Sequence, residues 1–147
     1  MLIIASGIAN SISTPLWGKL GDRSSRMVMS MASLTAGLLG IVIFSLMQGG
    51  SDLVTQPLFH ALVFLYLTIF HSGVRLGRKI CLVDMVNNDT RAVYVAISNT
   101  IIGMAMLFGG AVGLNADILN LHSLILILGL LSLRAAVYAR RLPEVSH

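Results

Sequence analysis

Two groups of residues in this chain combine types and spacings that can do chemistry. His71 and Arg75 stand four apart, a spacing that puts both on one face of a helix. A neutral imidazole can relay a proton. The run around them, from Leu58 to about Asp84, is apolar except for a few residues that include His60, Arg78, Lys79 and Asp84. Ionisable groups inside such a run normally face a cavity or a partner, so His71 and Arg75 are candidates to line a solute path or carry protons. The competing reading is that Arg75, Arg78 and Lys79 extend to a membrane surface while His71 hydrogen-bonds to a neighbouring helix. Asn99, within Ser98-Asn99-Thr100, is a third candidate cavity residue. The second group is Gly18-Lys19-Leu20-Gly21-Asp22-Arg23-Ser24-Ser25-Arg26, where one carboxylate stands among a Lys and two Arg between two uncharged apolar runs.

Signatures of enzymes are missing. There is no Gly-rich phosphate loop with its Lys, no helical His pair with an intervening Glu, and no nucleophile elbow. Cys81 is a lone cysteine, which excludes an internal disulfide and is read as packing. The expectation is a non-enzyme without cofactor or metal, in which any transport is driven by an ion gradient (H+ or Na+) or by the solute's own gradient.

The elements that must position these residues follow from composition. In 147 residues the hydrophobic fraction is 56%, the charged fraction 11% and the mean hydropathy +0.87. Soluble domains carry about 25% charge, so the fold class expected is an all-α integral membrane protein, a polytopic bundle. Continuous apolar runs in lipid mean helices, because each backbone group must be bonded internally. Five spans are expected, at residues 1–20, 27–48, 58–83, 92–114 and 121–138. The first is expected to bend near Pro15 and to meet the membrane interface at Trp17. No basic segment precedes the first run, so it reads as structural and not as a cleaved signal. Pro57 suits the first turn of the third helix, and Asp89 the cap of the fourth. Asn115 to Asn120 reads as a turn and Arg140-Arg141-Leu142-Pro143-Glu144 as a basic tail. Gly73-Val74-Arg75-Leu76-Gly77 and Gly109-Gly110-Ala111-Val112-Gly113 each hold two glycines four apart, a spacing that lets helices approach closely. Polar residues also recur at helical spacing as Ser6, Asn10 and Ser13, and as Ser30 and Ser33 followed by Gly37.

A net charge of +4 does not point to nucleic acid, because the cations follow the expected topology and form no single patch. Lys19, Arg23 and Arg26 flank the first loop, Arg78, Lys79 and Arg91 the third, and Arg134, Arg140 and Arg141 the end of the last helix. The opposite loops carry Asp52 and Asp117 and no cation. The positive-inside rule then puts the N-terminus outside and the C-terminus in the cytoplasm, in a cell inner membrane.

The segment Gly18 to Arg26 resembles the cytoplasmic loop of major facilitator superfamily carriers, G-x-L-(a/g)-D-R-x-(G)-R. The resemblance implies alternating access around a midplane site. Asp22, Arg23 and Arg26 would then lock an inner gate, with Gly18 and Gly21 permitting a tight turn. The segment from Asp89 to Thr100 resembles the entry to the eleventh helix of bacterial carriers. Each half of such a carrier has six helices, so five spans read as its eighth to twelfth, with a separate N-terminal half as partner. The rival expectations are a small membrane scaffold or subunit without transport of its own, and a non-functional remnant.

Overall fold

In the computed structural model the described residues are 2–87, 89–114 and 120–142. They form α1 (Leu2–Arg23), α2 (Ser25–Gln48), a 3-10 turn (Asp52–Thr55), α3 (Pro57–Met85), α4 (Arg91–Leu114) and α5 (Leu121–Arg140). Four of these, α2 to α5, are long and apolar enough to cross a membrane. The fold is therefore all-helical among the described residues, as the apolar runs require.

The first expected span forms a helix in the expected place, yet α1 is not among those four. Its ladder of Ser6, Asn10, Ser11, Ser13 and Thr14, with Lys19, Asp22 and Arg23 at the end, dilutes its apolar character. Ser11 and Thr14 return their hydroxyls to the Gly7 and Asn10 carbonyls at 2.9 and 2.6 Å, so these polar groups are satisfied within the helix. The helix runs unbroken through Pro15.

The nine-residue charged segment is not an open loop. α1 continues to Arg23 and α2 starts at Ser25, which leaves Ser24 alone outside the helices. Ser24 is extended (φ −166°, ψ 106°), and its side chain accepts from the Met27 N–H at 3.3 Å, an N-cap that restarts the chain as a new helix. Gly18 and Gly21 lie inside α1, not in a turn. A Cβ on Gly21 would collide with the Ile80 side chain of α3, whereas one on Gly18 would meet nothing within 4 Å. Gly21 is thus a close-approach residue.

Helix directions follow from the contacts. Trp17 meets Gly73 and Gly21 meets Ile80, so α1 and α3 run parallel. Met29 meets Gly77, while Gly37 meets Leu133 and Ser30 meets Arg140, so α2 runs opposite to both α3 and α5. The α2–α5 seam is built on glycine. A Cβ on Gly37 would lie 2.7 Å from Leu133, and one on Gly40 3.0 Å from the Gly129 backbone.

On α3 the buried residues are Gly73, Gly77 and Cys81, one stripe at a spacing of four. The first glycine pair therefore packs, as expected, and it receives two different helices: Trp17 of α1 sits on Gly73 and Met29 of α2 on Gly77. Cys81 extends the stripe into a cluster with Met29 and Ala139. The second pair receives no neighbour among the described residues. Gly103, Gly109, Gly110 and Gly113 of α4 have nothing within 4 Å, and Leu107 and Phe108 are 76% and 73% exposed.

Trp17 is also placed differently from expectation. It is 8% exposed within a cluster containing Val28 and Ala32, and its Nε1 donates to the Ile69 carbonyl at 3.0 Å. It anchors two helices and does not serve as a surface belt residue. α4 begins at Arg91, so Asp89 lies in the preceding turn and not at the cap position. The expected turn at 115–120 and the Pro143-Glu144 end of the tail fall outside the described residues, apart from Asn120.

Candidate functional site

Two adjoining cavities lie between the helices. The larger, about 600 Å³, is walled by Asn10 of α1, Ser33 of α2, Ser132 of α5 and a face of α3 that includes His71 and Arg75. The smaller, about 240 Å³, is lined by Asn10, Thr14, Ser72, Arg75, Leu76 and Lys79. Asn10, Ser72 and Arg75 border both, so the two adjoin along these residues as two lobes of a cleft. Its size suits a small ligand.

The cleft is polarised. One end presents Phe64, Leu67 and Phe70, and Phe70 is fixed by edge contact with Trp17 at 5.7 Å and a tilted contact with Tyr66 at 4.3 Å. The other end presents Arg75, Lys79 and hydroxyl and amide groups. No carboxylate is among the described residues that line either cavity. The site therefore offers donors and positive charge beside an apolar shelf.

His71 and Arg75 are brought together as the four-residue spacing implies, and both are exposed to the cleft side. The two polar ladders also converge here, Asn10 from α1 and Ser33 from α2. Asn99 is not part of this site. It lies with Arg78, Lys79, Val95 and Ser98 around a separate 240 Å³ cavity between α3 and α4, where Arg78 donates to the Ser98 hydroxyl at 3.4 Å. Thr14, Ser72 and Ser132 complete the cleft without having been singled out. Ser132 is a lone polar residue in the apolar run of α5, and that interruption was the available signal.

The charged segment occupies one end of the bundle. Asp22 and Arg23 are exposed, and Arg26 donates to the Leu142 carbonyl at 3.4 Å. Arg140, expected in the tail, instead closes the last turn of α5 and donates to Ser30 at 3.0 Å. The C-terminal ends of α1, α3 and α5 and the N-terminal ends of α2 and α4 thus gather with their basic residues at the same end. The polar end of the cleft reaches toward this charged end, since Lys79 lines the smaller cavity and its chain neighbour Ile80 packs beside Gly21.

Among the described residues, no group of three or more His, Cys, Asp or Glu is placed to hold a metal ion. No family model matches the chain, nor does any curated protein or solved structure.

Proposed function

We propose that this chain forms one wall of a membrane carrier that moves a small solute by alternating access, as part of a bundle of the major facilitator type. The observation that carries this reading is the cleft. A stretch of α3 from Pro57 to Met85, apolar enough to cross a membrane, opens His71 and Arg75 to a cavity shared with α1, α2 and α5. Exposing a cation at that depth is costly unless water, a counter-ion or a solute meets it. Asp22, Arg23 and Arg26 sit at the basic end, in place to gate access, and that end faces the cytoplasm by the positive-inside rule. The partner is the opposing carrier half, and an ion gradient (H+ or Na+) or the solute's own gradient supplies the drive.

Site-directed labelling tests the reading. With Cys81→Ala as background, Ser132→Cys is placed in the cleft and exposed to a membrane-impermeant maleimide from either side of sealed vesicles. A residue on an alternating path labels from both sides at different times. Labelling from neither side removes the water-filled path and the transport reading with it.

A second reading, a membrane subunit that acts by packing, is favoured by α4, where a Cβ on Gly103, Gly109, Gly110 or Gly113 would meet nothing within 4 Å among the described residues. It predicts the absence of labelling at Ser132→Cys, together with a stable stoichiometric complex through α4.

A further inference from the structure

The cleft has a chemical bias that the transport reading does not itself require. We propose that it binds an oxyanion joined to an apolar body, with the anionic group held by Arg75 and Lys79 and the body resting against Phe64, Leu67 and Phe70. The inference deepens the reading above by naming the ligand class of the same site.

Charge is the first argument. Arg75 lines both cavities and Lys79 the smaller one, while no carboxylate lines either among the described residues. A cation or zwitterion would find no fixed countercharge there. A guanidinium matches a carboxylate or phosphate through two parallel hydrogen bonds, and an ammonium adds a point charge beside it.

Donors supply the second argument. Asn10, Thr14 and Ser72 surround Arg75 at the polar end. The Thr14 hydroxyl donates to Asn10 O at 2.6 Å, which leaves the Asn10 amide and the Ser72 hydroxyl to address an anion's remaining oxygens. Shape is the third. The two cavities, about 600 and 240 Å³, share the Arg75 edge, and the aromatic shelf belongs to the larger one. An ion without an apolar body would leave that shelf empty, and a neutral apolar molecule would leave the cations unmet.

Two sources can supply such a ligand: a free organic anion or the headgroup of an anionic lipid. The test uses the full chain in nanodiscs of phosphatidylcholine, with 2-naphthoate as probe, 2-naphthamide as its neutral counterpart and inorganic phosphate as an anion lacking an apolar body. Naphthoate is expected to bind at least tenfold more tightly than either comparison, and Arg75→Gln to weaken it tenfold or more, as loss of a charge-assisted pair implies. Arg75→Lys should retain part of the binding, and unchanged circular dichroism would show that the variants fold.

Naphthoate that binds but is displaced by phosphatidylglycerol in the nanodisc supports the anion site and assigns it to lipid. Naphthoate that is not displaced supports the site and assigns it to a free solute. Equal binding of naphthoate and naphthamide, or no binding of naphthoate, overturns the proposal, and this comparison needs no variant. Failure of transport is read separately. An intact anion preference with an unlabelled Ser132→Cys leaves the site standing and removes the carrier.

Discussion

The indole of Trp17 lies directly on Gly73, where a Cβ would come within 2.8 Å of the ring. The missing side chain lets Trp17 of α1 reach the Ile69 carbonyl inside α3 at 3.0 Å. The same indole braces Phe70, which forms part of the cleft. One glycine therefore couples helix packing to the shape of the site.

Gly73→Ala should separate α1 from α3. The added carbon meets a rigid aromatic ring, so relief requires moving a helix, and overpacking of this kind costs about 1–3 kcal/mol. Trp17 is the sole tryptophan, so its fluorescence reports the event. The emission should shift to the red and the thermal midpoint should fall. A variant with both unchanged would show that the contact is not what joins these helices.

A glycine scan should split the chain in two. At Gly37 and Gly40 an added methyl meets Leu133 or the Gly129 backbone at 2.7 and 3.0 Å, whereas at Gly109 and Gly110 it meets nothing within 4 Å. Alanine at the first pair should lower the melting temperature of the purified protein by several degrees. At the second pair it should leave the temperature level or raise it, since alanine favours the helix. A large loss at Gly109 or Gly110 would instead reveal a helix packed on α4.

Much of this architecture was legible in the sequence. The apolar runs mark all five helices, and His71 and Arg75, four apart, fall on one helix face and border the same cavity. Other features depend on which helices meet, which the spacing of residues within a helix does not encode. Trp17 carries the same amphipathic ring whether it faces a headgroup or a glycine. Asn99 and His71 both read as polar residues within apolar runs, yet they border different cavities. Gly73-Gly77 and Gly109-Gly113 have the same spacing, and only the first pair receives neighbours among the described residues. The charged segment looked like a loop because Gly18 and Gly21 suggest a turn, but one capping serine suffices to break the helix.

Arg140 and Ser30 should show coupled energetics. The guanidinium reaches the hydroxyl at 3.0 Å, and Ser30 is 1% exposed, so truncating Arg140 leaves a buried hydroxyl without its donor. Each of Arg140→Ala and Ser30→Ala should destabilise the protein by about 1 kcal/mol. The double variant should cost less than the sum, because the second change removes a group already unsatisfied. Strict additivity in unfolding measurements would mean that the two side chains act independently.

Asp22 offers the cleanest probe of the proposed gate, because it is exposed and its replacement should not disturb the fold. Surface substitutions of this kind stay within about 0.5 kcal/mol. Neutralising it leaves Lys19, Arg23 and Arg26 without the one carboxylate in their segment, so a latch that depends on opposite charge should loosen. In the Cys81→Ala, Ser132→Cys background, Asp22→Asn should raise the rate of maleimide labelling severalfold from the basic side of the membrane. The rate from the opposite side should stay level or fall, since a path open at one end is closed at the other. The melting temperature serves as the control for global loosening. If Asp22→Asn leaves both labelling rates unchanged, the segment is a charged surface and the proposed gate is withdrawn.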